Sequence, residues 1–472
     1  MRTTSQRRLA SSSCAALAAI VLSSPFATAS AQAVRLEDVI TAALKGSVQT
    51  QREEERIKRA AGQLQQAQGA FDFRTTAESG WERLYLPKQS NGTLTNELDT
   101  PNIFRTTIGI GKRFRNGIDV VPGVSWAFAD SSSAVQSFGL TTPRPSLNIN
   151  IPLFKGWGEE GEFASGERAA QASLEGSNLN RSFAGNRVVY QAVQVFWRCL
   201  ATRQALEVLE SDQRGAEDYL AALRELVAQG RMEATQFDRV NAGQASQRVA
   251  LSRAQANDQL CRRDLAVVLG ASSSGTLPTA IGDFPSMDGL GQRAAMLNEQ
   301  ALITAALTQR QDLLALARFE AAESERVRGA KNSALPQVDL VIDPTRVLIR
   351  YSQALGSNSA KGSLEAAVAS EGEARLNQVL LQNQIRDDIT DQVRNIRESL
   401  SNWTVLSESE GLLGTVVTDS QTSLRAGAIT QQQYRDAQNE LTAIKRQVID
   451  ADRKSTRLNS SHVSESRMPS SA

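Results

Sequence analysis

The sequence predicts a mainly helical chain with a smaller β part, built from two copies of one unit: a helix, a set of strands and a long helical hairpin. The pentapeptide Ile40–Leu44 recurs letter for letter at Ile303–Leu307, an offset of 263 residues. A second, collinear match relates Gly230 to Gly427, with similarly spaced apolar neighbours, at an offset of 197. Two ordered matches with the same internal anatomy indicate a duplication, and this duplication decides how the chain is divided.

Residues 1–33 have the composition of a secretory signal peptide. Three arginines precede an apolar run, and Ala31–Ala33 offers a small-residue cleavage site. We therefore expect the mature chain to begin near Val34, outside the cytoplasm.

The duplication defines the predicted domains. The first copy occupies residues 34–270, with an opening helix, a strand region over 72–154 and a long helical hairpin. A linker rich in Gly, Ser, Pro and Thr, 271–297, leads to the second copy, 298–453, which has a shortened strand region, 336–362, and a truncated hairpin. From about residue 454 the chain is serine-rich and loses its apolar period, so we treat 454–472 as a non-native tail and expect the native C-terminus to be missing.

Both long helices have a narrow apolar stripe. Val193, Phe196 and Leu200 step by three and four residues, and the second copy repeats this rhythm from Ile385 onward. A narrow stripe sustained this far is typical of a coiled-coil seam. The helix over 164–228 has 65 residues, which is ~97 Å at 1.5 Å per residue. The opening and return helices are about half as long, so we expect them to stack end to end beside it.

An alternation of two residues marks the strands. Between Ile103 and Phe114, apolar side chains alternate with arginine, threonine and glycine, and the pattern returns over 118–128 and 145–151. Strands of about ten residues with an apolar outer face, a small or polar inner face and aromatic ends fit an outer-membrane β-barrel. A soluble sheet with one wet face permits the same alternation. The signal peptide and the long helices favour the membrane.

Composition excludes several classes of function. Lys and Arg total 52 against 51 Asp and Glu, so nothing recommends nucleic acid as a partner. The single histidine, His462, lies in the tail, and the rest of the sequence has neither a phosphate-binding loop nor metal-ligand spacing. We therefore expect no enzyme, no catalytic residue, no metal and no cofactor.

Several features recur in a fixed order along residues 35–453. They are the duplicated unit after a signal peptide, Ile151–Gly156 closing the first strand set, Leu335–Gln337 opening the second, and the turns at Gly230 and Gly427. Together they resemble the TolC-like outer-membrane efflux proteins. The resemblance implies a homotrimer in the outer membrane of a Gram-negative bacterium, with one twelve-stranded β-barrel continuous with a twelve-helix periplasmic α-helical tube. It also implies a passive exit duct for drugs, small molecules or proteins, with a periplasmic adaptor and an inner-membrane transporter as partners in a tripartite efflux pump or a type I secretion system.

The strand regions depart from that pattern. The first offers four candidate strands where the family needs two, and the second offers only 338–342 and 347–351, with no Pro-Leu-Phe element after them. Either two strands of the first region form an extra extracellular hairpin, or the second region has lost sequence. The number of barrel strands per chain therefore stays open.

The resemblance assigns adaptor docking to the two hairpin tips. By position this role falls on Gly230 with Met232 and on Gly427 with Ile429. The alternative for Met232 and Ile429 is that each is a buried anchor of its turn.

Acidic residues just beyond such turns ring the periplasmic mouth in the family. The sixth residues after the two glycines are here Gln236 and Gln433, which are not acidic, whereas Asp436 is the ninth after the second glycine and Tyr434 is close enough to share the constriction. We expect three copies of Asp436 to form a weak negative ring at the periplasmic entrance. The alternative is an exposed aspartate on the outer helix face, paired with Arg435 or another neighbour.

Cys199 and Cys261 each lie 31 residues from Gly230, on opposite sides of it. An antiparallel hairpin therefore places them at about the same height, and a location outside the cytoplasm permits a disulfide. Two separate buried thiols are the alternative, because the sequence does not fix the rotation of the helices.

Two other classes of protein compete with an outer-membrane channel. A periplasmic adaptor also uses a long helical hairpin, but it would have one hairpin inside β-rich halves. A secreted structural coiled-coil protein would need no lipid-facing strands.

Overall fold

The computed structural model describes residues 33–83, 85–90, 93–100, 102–129, 143–270, 277–285, 291, 294 and 296–466. The predicted signal peptide, apart from Ala33, and part of the predicted linker lie outside these residues. Among the helices within these ranges, none combines the length and the apolar composition needed to cross a membrane.

Each copy of the unit runs from a pair of helices through strands to a long helical hairpin. The first copy contains β1 (Ala33–Val34), α1 (Leu36–Gly46), α2 (Val48–Gln68), β2 (Phe73–Arg83), β3 (Leu86–Ser90), β4 (Thr93–Asp99), β5 (Asn102–Arg113), β6 (Asp119–Ala129), β7 (Arg144–Pro152), α3 (Glu162–Ala228) and α4 (Ala234–Val268). The second, preceded by β8 (Thr279–Ala280), contains α5 (Glu299–Gln309), α6 (Gln311–Ser333), β9 (Gln337–Asp343), β10 (Arg346–Ser352), α7 (Asn358–Arg425) and α8 (Gln431–Ser466). Helix α8 thus continues through the first part of the predicted tail.

Both opening helices are interrupted at a single residue, and the two interruptions are one repeat offset apart. Ser47 separates α1 from α2, and Arg310 separates α5 from α6, with extended backbones at ψ 120° and 123°. The Ser47 hydroxyl accepts hydrogen bonds from the amides of Gln49 and Thr50, which starts the second helix. The sequence predicted one continuous helix in each place, because a lone capping residue inside a helical stretch is a weak stop signal.

The helices form a layer around α3, which is a single helix of 67 residues. Helices α2 and α4 pack along one side of α3, and α6 and α8 pack between α3 and α7 on the other side. Pairs of short helices therefore share the length of each long one. One edge of the layer is formed by α2 and α4, and the other edge is formed by α7.

Six antiparallel strands form the main sheet, in the order β10-β9-β7-β6-β5-β2. Strands β3 and β4 pair with each other and prolong the β2–β5 hairpin. All four candidate strands of the first region thus belong to one sheet with the two strands of the second. The sheet of one chain thus has six strands, whereas the twelve-stranded barrel that the resemblance implies takes four strands from each of three chains.

The strand register keeps the two faces of the sheet chemically distinct. Val120, Ile149, Ile342 and Val347 stand opposite one another on four successive strands. On the other face small and polar residues meet, as where Thr107 stands opposite Ser125. The predicted alternation therefore holds across the sheet, with one apolar face and one polar face.

A buried cluster forms where α1 and α4 pack on α3, at the height of the two cysteines. Phe196 and Leu200 of α3 lie in it with Val39 of α1 and Leu265 of α4. Cys199 and Cys261 also belong to this cluster and form a disulfide, with their Cα atoms 5.3 Å apart. The rotation of the two helices, which the sequence could not fix, turns both sulfur atoms inward.

The disulfide predicts a cysteine titration. We expect the unfolded, non-reduced mature protein to expose no alkylatable thiol and the reduced protein to expose two. Because the bond closes a loop of 62 residues, the chain-entropy relation assigns it about 4 kcal/mol of stabilisation. Cys199→Ser with Cys261→Ser should therefore lower the melting temperature, whereas two free thiols before reduction would show that the cysteines do not pair.

Candidate functional site

The two hairpin tips have the same backbone cap. After α3, Gly230 takes φ +68° and the amide of Arg231 donates to the carbonyl of Leu226 at 2.9 Å. After α7, Gly427 takes φ +74° and the amide of Ala428 donates to the carbonyl of Ser423 at 2.8 Å. Both are Schellman caps, which need a residue in the left-handed region and so favour glycine.

Met232 is half-buried at the first tip. It packs with Leu226 and Phe237 against a buried cluster that includes Tyr219 and Leu223. Its contacts are those of a turn anchor, the alternative left open by the sequence. Ile429, its counterpart at the second tip, is also half-buried.

The two glutamines after the glycines differ in role. The side-chain oxygen of Gln433 accepts a hydrogen bond from the backbone amide of Thr430 at 2.8 Å. The backbone amide of Gln433 in turn donates to the Thr430 hydroxyl at 3.2 Å. This reciprocal pair is a capping box that starts α8. Gln236 is exposed in the first turn of α4. The Thr-x-x-Gln spacing at residues 430–433 was the signal that sequence reasoning missed.

Tyr434 and Asp436 lie on different sides of the first turns of α8. The half-buried Tyr434 accepts a hydrogen bond at its hydroxyl from the amide of Gln438 at 2.9 Å. Asp436 is exposed, and its carboxylate accepts a hydrogen bond from Gln432 at 2.9 Å. The side chain of the preceding residue, Arg435, points away from that of Asp436 and toward α3.

Arg435 forms a buried ion pair with Asp212 of α3. Their side chains are 8% and 7% exposed, and the guanidinium donates to the Asp212 carboxylate at 2.7 Å and to the Asp212 carbonyl at 3.0 Å. Gln438 accepts a further hydrogen bond from Arg435 at 3.1 Å. The pair joins the return helix of the second copy to the long helix of the first, and no pattern in the sequence predicts it.

Two further hydrogen bonds join the two copies along the same contact. The Tyr219 hydroxyl donates to Gln432 at 3.1 Å, and Gln247 of α4 donates to Asn439 at 3.3 Å. Burial raises the pKa of Tyr219, the Asp436 carboxylate raises it further, and Arg435 opposes both. The exposed carboxylate of Asp436 therefore acts electrostatically on a group inside the contact.

The contacts at the tips hold and orient the helices, and the side chains described there do not form a catalytic arrangement. Within the described ranges, no cluster of three or more His, Cys, Asp or Glu side chains could hold a metal ion. The predicted tip residues thus gather at one end of the helical layer, while the two-faced sheet lies at the other end.

Comparison with known proteins identifies this combination of helices and sheet. No protein-family model and no curated protein matches the sequence, but solved structures do. The outer-membrane channel OprN matches with a TM-score of 0.66 at 14% identity, over 91% of this chain and 89% of that chain. The CmeC outer-membrane channel of Campylobacter jejuni matches with a TM-score of 0.62 at 13% identity, over 91% and 85%. The chain has the fold of outer-membrane channels.

A third match extends this channel fold to another organism. The outer-membrane protein VceC of Vibrio cholerae matches with a TM-score of 0.62 at 14% identity, over 91% of this chain and 95% of that chain. At identities this low, the structural matches establish the fold alone. In the channel fold, the helical layer and the sheet of this chain are parts of one architecture.

The buried ion pair generates a stability prediction. Asp212→Asn leaves the Arg435 charge buried without a counter-charge, so we expect the free energy of unfolding to fall by about 3 kcal/mol. Asp218→Asn, on the exposed side of the same helix, should change it by less than about 0.5 kcal/mol. Denaturant titration followed by circular dichroism measures both.

A double variant distinguishes the effect of the unpaired charge from the effect of the surrounding contacts. Replacing both partners by apolar residues, Asp212→Leu with Arg435→Met, removes the unpaired charge and should recover most of the lost stability. Equal stability of Asp212→Asn and Asp218→Asn would contradict the buried pair.

Proposed function

We propose that the protein is the outer-membrane exit duct of a tripartite efflux pump or a type I secretion system in a Gram-negative bacterium. It passes drugs, small molecules or proteins without catalysis, and an inner-membrane transporter and a periplasmic adaptor supply the energy and the coupling. One observation carries the proposal: a sheet with an exposed apolar face is joined directly to a helix of 67 residues, ~100 Å long at 1.5 Å per residue. That length suits a duct that extends from the membrane far into the periplasm.

The apolar face of the sheet has the dimensions of a bilayer. Strands β2 and β5 have 11 and 12 residues, and a tilted membrane strand needs about 9–11. Phe73 and Trp81, 70% and 76% exposed, lie eight residues apart on β2, ~26 Å along the strand at 3.3 Å per residue and ~20 Å along the membrane normal at a tilt of about 40°. Their separation places the two aromatic side chains near the two borders of an apolar band of about 25 Å.

The edges of the helical layer support a homotrimer. On α7, Val405, Leu412 and Val416 are exposed and lie nine, sixteen and twenty residues after the buried Ile396, on the opposite side of the helix at about 100° per residue. The α4 edge exposes Val249, Leu260 and Val267. Contact between these unlike edges of successive copies closes a ring and covers both of them.

The tips supply the periplasmic end of the proposed duct. Gly230 and Met232, with Gly427 and Ile429, would dock the adaptor. Asp436 would line the entrance beside Tyr434, Gln433 and Gln236, because it is exposed and stands in the second turn of α8, next to the tip. The adaptor and structural coiled-coil alternatives are less well supported, since both leave the apolar face of the sheet without a partner.

Membrane association and oligomeric state test the proposal. After carbonate extraction we expect the protein to stay in the outer-membrane pellet, because its sheet is embedded in lipid. In mild detergent its mass should be threefold that of the chain. A stable monomer with native helicity, or release of the protein by carbonate, would contradict the proposal.

Adjacent positions on β5 give a matched control for the lipid-facing side. Ile108 is 44% exposed on the apolar face, whereas Thr107 lies on the polar face. Ile108→Lys should disfavour membrane assembly by about 2 kcal/mol or more, and Thr107→Lys should be tolerated.

Asp436 should contribute to the ion selectivity of the channel. Three carboxylates converging on one axis attract cations, so Asp436→Asn should lower the cation selectivity and weaken the block by multivalent cations in planar-bilayer recordings. Glu440→Gln, one turn further along the same exposed face of α8, should change the selectivity less, because it lies further from the entrance. Unchanged selectivity in Asp436→Asn would remove this residue from the entrance.

A further inference from the structure

Charge is unevenly distributed over the polar face of the main sheet. In the half of the sheet next to the helices, this face carries three arginines and two aspartates: Arg74, Arg113, Arg350, Asp119 and Asp339. In the other half, three acidic and three basic residues balance one another: Glu78, Glu82, Asp343, Arg105, Arg144 and Arg346. The strands of one chain therefore have an excess of one positive charge where the sheet meets the helices.

In the half next to the helices, the arginines are exposed and the aspartates are buried. The side chains of Arg74 and Arg113 are 44% and 27% exposed. The side chain of Asp119, which accepts from both at 2.6 and 3.4 Å, is 13% exposed. Asp339 is 2% exposed. Arg350, opposite Asp339 on the next strand, is exposed, and no ion pair within the described ranges engages it. The guanidinium groups thus lie at the surface of the sheet, and the carboxylates lie beneath them.

A contact with the helices holds Arg113 in place. Its guanidinium lies over the ring of Phe163, in the first turn of α3, at 4.3 Å from the ring centroid. Arg115, two residues further along, is neutralised by Glu167 through two hydrogen bonds of 2.8 Å. Arg113 has no carboxylate of its own, because it shares Asp119 with a second arginine. A positive charge therefore remains at a fixed position where the sheet meets the helices.

We infer that Arg74, Arg113 and Arg350 of the three copies form an arginine ring inside the duct, which attracts anions where the sheet meets the helices. The inference rests on the proposed function, in which the apolar face of the sheet lies in lipid and the polar face lines the interior. Rings of basic side chains favour anions in pores. The arginine ring thus attracts small anions and the carboxylate, sulfate or phosphate groups of the molecules that pass through the duct.

The arginine ring is opposite in sign to the acidic entrance proposed around Asp436. The length of α3, ~100 Å for its 67 residues, separates the two. Charges in solution are screened over about 8 Å at physiological ionic strength, so neither group of charges alters the field of the other. Each acts on its own section of the duct, and variants at the two heights can be combined and interpreted separately.

Ion selectivity at low salt tests the arginine ring. The screening length is about 30 Å at about 0.01 M salt and about 3 Å at about 1 M, so the ring should act across the duct at the lower concentration only. The Asp436→Asn background weakens the acidic entrance. In this background, Arg350→Gln and Arg113→Gln should each lower the anion-to-cation permeability ratio by about twofold or more at low salt and leave it unchanged at high salt. Reversal potentials in planar bilayers measure the ratio.

Two further variants give the opposite sign and a matched control. Asp119→Asn removes a carboxylate and leaves the guanidinium groups, so it should raise the anion-to-cation permeability ratio. Lys112 adjoins Arg113 on β5 but lies on the apolar face, with its ammonium group 4.2 Å from the centroid of the Phe73 ring. Lys112→Gln removes a positive charge at the same height on the lipid side of the wall, and it should leave the ratio unchanged.

A thiol probe measures the local charge without a current. Ser352→Cys places a thiol on the polar face two residues from Arg350, whereas Tyr351→Cys places one on the apolar face. At low salt, a negatively charged thiosulfonate reagent should modify Ser352→Cys about fivefold faster than a positively charged one, after both rates are divided by those for free cysteine. Adding Arg350→Gln should reduce this preference, and Tyr351→Cys, in lipid, should react with neither reagent.

The outcomes separate this inference from the proposed function. A conducting trimer whose selectivity is the same with and without Arg350→Gln, or changes equally in Lys112→Gln, would overturn the arginine ring and leave the exit duct standing. Faster modification of Ser352→Cys by the positively charged reagent would do the same. If Arg113→Gln does not assemble, Arg350→Gln still decides, because this side chain makes no ion pair within the described ranges. A monomer that carbonate releases from the membrane would overturn the inference together with the proposed function.

Discussion

The burial of α3 by five other helices is the interaction on which the rest of the structure depends. Helices α1, α2, α4, α6 and α8 all contact it, and Phe196, Leu200 and Leu223 are exposed by 3% or less. Its repeat counterpart α7 is covered on one side only and keeps exposed valine and leucine side chains on the other. This unequal burial makes a single chain an open layer with two edges, and the outermost strands of the sheet, β2 and β10, adjoin α2 and α7 at these same edges.

The parts of the fold that the sequence predicted depend on local chemistry. Gly230 and Gly427 could be recognised because each ends a helix in a conformation that other residues rarely adopt. The faces of the sheet could be assigned because side chains alternate with a period of two along every strand. The interruption at Ser47 was missed because one hydroxyl determines it, and the capping role of Gln433 was missed although its spacing from Thr430 was visible.

The most consequential contact at the tips could not be predicted, because it joins residues far apart in the chain. Asp212 and Arg435 are separated by 223 residues, and either could have been a solvated charge on a helix surface. They become partners only when α8 packs against α3, which depends on the whole layer. A buried ion pair tolerates little displacement, so it holds the return helix of the second copy at one height along the long helix of the first.

The disulfide breaks the symmetry of the duplication. One offset of 197 residues after Cys199 stands Ile396, so the second hairpin has no disulfide at the corresponding height. The two helices of a cross-linked hairpin cannot slide past each other at the disulfide, whereas two helices held by packing alone can do so by rearranging side chains. In the proposed trimer, hairpins with a disulfide and hairpins without one would alternate around the ring, and a thiol reductant would remove this difference in stiffness.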